Sequence, residues 1–180
     1  MMRHLTPADY TAMPWANGRG TTIEMLREVG PDGALLLRLS MASVVEDGPF
    51  SSFPGIERNL TVITGPGFDL VMGEVRITAA PLKPVAFPGD MPIAAVEVTA
   101  PSADFNVMTS RELPLPWVRV VENYDIMPPL AGFLAVFALG PAVVSGCSLG
   151  KHDLLITDET ARVSGGRCIL VAVFSRWDWR

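Results

Sequence analysis

Few residues in this chain could do chemistry, and those that could are suited to gripping a small anion. Arg58 begins an apolar run, and a guanidinium can hold a carboxylate through two parallel hydrogen bonds. An ion pair to Glu57 or Asp47 would instead give Arg58 a purely structural role. In "LLLRLSMA" strand alternation places Arg38 and Ser40 on one face and Leu37, Leu39 and Met41 on the other. With the leucines in the core, Arg38 and Ser40 meet either solvent or an interior cavity. Asn106 offers donors and an acceptor for a second polar group. Asp104, two residues earlier and of the same parity, could orient Arg38 or Arg58. Phe50 and Ser51 sit near the tip of "EDGPFSSFPGIER" (46–58), a loop whose Gly48-Pro49 and Pro54-Gly55 turns could cap a cavity mouth. Trp15 and Asn17 could close its rim.

Other chemistries fail on arithmetic. The chain has two histidines, His4 and His152, too few for the nitrogen-rich sites that bind transition metals within one small domain. His4, near the terminus, is expected in solvent and His152 in a turn. Metal ligation is therefore not expected, nor is any other cofactor. There is no Gly-x-Ser-x-Gly elbow, and any Ser-His or Cys-His dyad would need one of those histidines. Cys147 and Cys168 are too far apart for a Cys-x-x-Cys motif and read as small buried thiols. Glu46 and Asp47 are adjacent, so on a strand they would point oppositely; a solvated loop suits them better. Asp90 in "FPGD" reads as a turn residue capping backbone N–H groups. "WANGRGTT" (15–22) has the look of a phosphate loop. It lacks the third glycine of a dinucleotide fingerprint and the Lys of a P-loop, and neither a preceding strand nor a following helix is expected. Gly18 and Gly20 are left as turn residues.

The elements that must position these groups are strands. Hydrophobic residues make up 49% of the 180 and charged residues 18%, enough for a large core and too apolar for disorder. Sixteen Gly and sixteen Pro are scattered between short Val/Ile/Leu/Phe/Thr runs, the pattern of an all-β sandwich or barrel with little helix. The net charge of −5 argues against a nucleic-acid surface. No apolar run reaches the length of a membrane helix, and the N-terminus carries no leader pattern, so a cytoplasmic protein without a membrane partner is expected.

An internal repeat organises the strands. "NLTVITGPGFDLVMG" (59–73) aligns with "GFLAVFALGPAVVSG" (132–146) at a constant offset, matching Leu60 to Phe133, Gly67 to Gly140 and Gly73 to Gly146. "FPGD" (87–90) then answers to "GKHD" (150–153), and "FNVMTSRE" (105–112) to "VAVFSRWD" (171–178). Two tandem barrels follow, over 1–112 and 113–180. The closing strand of the first carries Asp104 and Asn106 where the second is wholly apolar, so the first is expected to hold a pocket and the second to be structural.

In order and spacing, "WANGRGTT", "LRLSMASVVEDGPFSSFPGIERNLTVITG", "FPGD" and "DFNVMTSRE" resemble the signature segments of the HutD/Ves family. The likeness covers most of 15–112 and is looser beyond. It implies a cupin-like (RmlC-type) double-stranded β-helix in a two-barrel chain, without the usual cupin histidines. For HutD proteins it implies a place beside histidine-utilisation genes and a binding role that moderates the pathway; for Ves proteins, a link with stress responses. The expected function is a metal-free protein binding a small carboxylate, such as urocanate, formiminoglutamate or formylglutamate, through Arg58, Arg38, Ser40, Ser51 and Asn106. A metal-independent isomerase or hydrolase, with Asp104 or Asp47 as base, is the alternative. A scaffold for a protein partner is a third reading, and a homodimer is compatible with each.

Overall fold

The computed structural model describes residues 1–15 and 20–174, leaving aside the Phe174 side chain. After β1 (Met2–Leu5) comes a single 3₁₀ turn, Pro7–Asp9. The next strands are β2 (Thr11–Pro14), β3 (Thr21–Val29), β4 (Leu35–Val44), β5 (Gly48–Pro49) and β6 (Ile56–Thr64). They are followed by β7 (Phe68–Met72), β8 (Val75–Ala79), β9 (Val85–Pro88), β10 (Ala94–Val96) and β11 (Ser102–Ser110). The chain continues through β12 (Trp117–Ile126), β13 (Gly132–Ala138), β14 (Ala142–Val144), β15 (Cys147–Leu149), β16 (Leu154–Thr157) and β17 (Ala161–Phe174). No described helix is long and apolar enough to cross a membrane.

The strands form two compact units. In the unit Thr11–Arg111, one sheet runs β2-β3-β4-β11-β6-β9 and a second runs β5-β10-β7-β8. Its apolar core collects Leu60, Val62, Phe68, Leu70, Phe87 and Ala95. On β4 the expected alternation holds: Leu37 and Leu39 are wholly buried on the face opposite Arg38 and Ser40. The other unit combines Met1–Tyr10 with the chain from Glu112 onward. Its sheet runs β1-β16-β13-β17-β14-β15, with β12 also paired to β17. Leu134, Val136, Leu155, Val163 and Leu170 fill its core. The first ten residues thus do not belong to the unit that follows them, where the boundary at 112 had put them. β1 pairs antiparallel with β16, Met2 opposite Thr157 and Leu5 opposite Leu154.

Strand order bears on the repeat. β11 lies between β4 and β6, as β17 lies between β12 and β13. β9 then flanks β6 as β16 flanks β13. Gly73 and Gly146 close equivalent hairpins, β7–β8 and β14–β15, with φ of +60° and +84°. The "FPGD"/"GKHD" match is displaced, however. Phe87 and Pro88 end β9, whereas Lys151 to Asp153 precede β16.

Two glycines separate conformational from steric need. Gly67 has φ +85° and a Cβ there would stand 2.2 Å from the Ala79 carbonyl oxygen; at Gly146 a Cβ meets nothing within 4 Å. Gly146→Ala is expected to cost only the left-handed backbone term, about 1–2 kcal/mol, and Gly67→Ala distinctly more. Thermal unfolding of the two variants checks the order.

Candidate ligand-binding cavity

A cavity of about 440 Å³ lies against the six-stranded sheet of the Thr11–Arg111 unit. Register explains what converges on it. Asn106 on β11 stands opposite Ser40 on β4 and Leu60 on β6, and Met108 stands between Arg38 and Arg58. Residues directly opposite share a face, and period-two alternation brings Asp104 to the same face. Arg38, Ser40, Arg58, Asp104 and Asn106 all line the cavity. The segment before β6 supplies Phe50, Ser51 and Phe53 to its wall. Trp15 and Thr22 complete one side, the Trp15 Nε1 donating to Thr22 Oγ1 at 2.9 Å. Every residue expected at the ligand is thus placed around one space, save Asn17, which lies outside the described residues.

Arg58 is the least ordinary member. It is 8% exposed, and its guanidinium carbon sits 5.1 Å from the ring centres of Phe50 and Phe87 and 5.6 Å from that of Phe53. Three aromatic faces hold the cation without neutralising it. Its Nη2 donates to Asn106 Oδ1 at 2.9 Å, and Asn106 Nδ2 donates to Asp104 Oδ1. Asp104 therefore reaches Arg58 through Asn106 instead of pairing with either arginine directly. Arg58 Nε and Asp104 Oδ2 are buried without a hydrogen-bond partner among the described residues. Burial brings Arg58 down to about 10 and lifts the wholly buried Asp104 to about 7, against the opposing pull of Arg58. Arg38 differs, since its Nε stands 2.7 Å from the Glu24 carboxylate.

Several residues sit elsewhere than expected. Glu57 and Asp90 both receive Arg111, Asp90 through a two-pronged grip at 2.5 and 2.7 Å. The Arg111 contact is the main cause of the lowered Asp90 pKa, and backbone N–H groups of Asp90 and Gly55 add to it, so the carboxylate serves both as an ion-pair partner and in the expected capping role. Asp47 accepts the Val98 N–H at 2.9 Å and does not line the cavity, which removes it as a base there. His4 is not simply solvated: its Nε2 lies 2.8 Å from Asp153 Oδ2 and its Nδ1 3.9 Å from Cys147 Sγ. His152 does occupy a turn, at φ +68°, and stacks on Phe137. Cys168 is buried, with its thiol pushed up to about 11, while Cys147 is only half-buried. No group of three or more His, Cys, Asp or Glu among the described residues could hold a metal ion.

A strand, β2, does precede "WANGRGTT" and forms a hairpin with β3. Trp15 N–H donates to the Gly20 carbonyl at 2.8 Å, and a Cβ on Gly20 would meet the indole at 2.8 Å. Gly20 is small to admit the ring; Gly18 lies outside the described residues. The sequence reading missed Glu24, Phe53 and Phe87. The aromatics were visible as "GPFSSFPG" and "FPGD", but nothing local shows that they surround one cation.

Comparison with known proteins places the chain. The HutD family model matches residues 7–169. An uncharacterised 21.2 kDa protein from the hutC 3′ region of Pseudomonas putida is 36% identical, over 96% of this chain and 97% of its own. The structure of HutD from Pseudomonas fluorescens SBW25, in a formate condition, is 34% identical with a TM-score of 0.89, covering 98% of this chain and 100% of its own. A conserved protein of unknown function from Pseudomonas aeruginosa PAO1 is 26% identical with a TM-score of 0.85, covering 97% and 100%. The fold is all-β and cupin-like.

A buried carboxyl that prefers its proton destabilises the folded state wherever it must ionise. Asp104 holds its proton to about pH 7 when folded, against 3.8 ordinarily. Between those values the folded chain binds more protons than the unfolded one, so this group's contribution falls as pH rises through the window and stays low above it. Asp104→Asn is therefore expected to raise Tm at pH 8 and to lose that advantage toward pH 4. A pH series of melting curves for both proteins checks it.

Proposed function

This chain belongs to the HutD family, and on that premise we propose that it binds a small carboxylate in the cavity of the Thr11–Arg111 unit. The carrying observation is Arg58, a buried guanidinium held by three phenylalanine rings with no carboxylate of the described residues paired to it directly. A buried cation left without an anion is costly unless its site is completed by one. A bound carboxylate would supply acceptors to the part of the guanidinium that lines the cavity. Asn106, Ser40 and Ser51 can read polar groups at its other end. The cavity volume lies within the range of small-molecule sites. A relative is named from a hutC region, which makes acids of histidine degradation the first ligands to test. Capture of such an acid would report or limit its free concentration.

A second reading has one observation behind it. Asp104, in the cavity wall and titrating near neutrality, is suited to general acid–base work, which would make the protein a metal-independent isomerase or hydrolase. Turnover of a pathway acid that is lost in Asp104→Asn would favour this reading over simple binding.

Urocanate, formiminoglutamate and formylglutamate are the trial ligands. At a ligand concentration 100 times its Kd, stabilisation of about 2.7 kcal/mol is expected, read as a rise in Tm. Arg58→Ala should abolish that rise. If none of the three shifts Tm at millimolar concentration, the ligand class is wrong.

A further inference from the structure

Charge bookkeeping inside the cavity leads one step further, resting on the carboxylate-binding reading above. Around Asp104, β4 contributes Arg38, β6 contributes Arg58, and β3 contributes Glu24 behind Arg38. The capping segment ahead of β6 contributes Pro49, Phe50, Ser51 and Phe53 to the lining, none of them charged. Arg38 is matched by Glu24 at 2.7 Å; Arg27, solvent-exposed and outside the cavity lining, approaches the same Glu24 oxygen at 3.8 Å. What remains are Arg58 and Asp104, both buried and separated by the Asn106 amide. With Asp104 ionised these four charges cancel and an arriving anion meets no net attraction. With Asp104 protonated one positive charge is left for it.

We propose that the site takes its anion together with one proton, which resides on the Asp104 carboxyl. The proton belongs on Oδ2. Oδ1 already accepts from Asn106, whereas Oδ2 is buried and unpartnered among the described residues. As a carboxylic acid Asp104 no longer presents an unpartnered buried negative oxygen, and the charge of Arg58 is left for the ligand. The energetic direction is fixed by Coulomb's law in a poorly screened interior: an anion on Arg58 raises the cost of a second negative charge nearby. Ligand binding and proton uptake then assist each other by the same factor, in both directions. Burial already brings Asp104 to about 7 in the empty cavity, so the coupling falls within the physiological range.

Isothermal titration with N-formylglutamate tests this, because its carboxyls stay ionised from pH 6 to 8.5. The titration is run in paired buffers of different ionisation enthalpy, which counts protons taken up. Uptake approaching one proton is expected near pH 8, with Kd about thirtyfold weaker at pH 8.5 than at pH 6. Asp104→Asn, an uncharged isostere of the acid form, should bind without proton uptake and with a flat pH profile. Binding by the unaltered protein with equal heats in all buffers and a flat profile would overturn the proposal and leave carboxylate binding standing. Proton uptake that persists in Asp104→Asn would overturn it too. Absence of binding at every pH would remove the underlying reading and the proposal with it.

Discussion

The Thr11–Arg111 unit carries a buried cation that has no direct counterion among the described residues. Arg58 is placed by the pairing of β6 with β11, which sets Met108 opposite it and Asn106 two residues along. Phe50 and Phe87 then supply faces from the capping segment and from β9, and Phe50 is itself packed edge-on to Phe68 in the apolar core. The cation thus ties the cap to the sheet. The intervening Asn106 keeps Arg58 and Asp104 apart, and the open Nε and Oδ2 atoms follow from that spacing.

The two units show how one strand arrangement serves two ends. In the second, β17 holds the place that β11 holds in the first, yet its Leu170, Val171, Ala172 and Val173 are all buried apolar residues. Leu170 and Ala172 join Leu134, Val136 and Leu155 in one apolar core, while Val171 and Val173 face the other side of the sheet. The difference between a packed interior and a cavity comes down to a few inward positions. Where Asp104 and Asn106 stand in place of Leu170 and Ala172, the interior of the first unit gives up apolar packing for a hydrogen-bonded polar group.

Much of this was legible because strand parity is a strong signal. Leu37 and Leu39 against Arg38 and Ser40, and Asp104 with Asn106, followed from alternation alone, and the structure sets the polar members on one wall. The family resemblance added the choice between solvent and interior that parity left open. What escaped the sequence was long-range pairing. The partnership of β1 with β16 has no local cue, so the first ten residues were grouped with their neighbours in sequence. Likewise the bond from Arg111 to Asp90, and the ion pair between Arg38 and Glu24, depend on registers between strands that no spacing rule gives. The aromatic enclosure of Arg58 draws on three separate segments and is a property of the assembled sheet.

The pairing of β1 with β16 also sets an order of events during synthesis. The stretch Thr11–Arg111 is continuous, so all its strands have left the ribosome once β11 has emerged. β1 is made before any of them, and its hydrogen-bonding partner is made almost last. Until then the edge of β1 remains an unclaimed template, exposed to pairing with the wrong strand or another chain. Its short length and the run of exposed side chains from Met2 to His4 limit that hazard while the cavity-bearing unit is already complete.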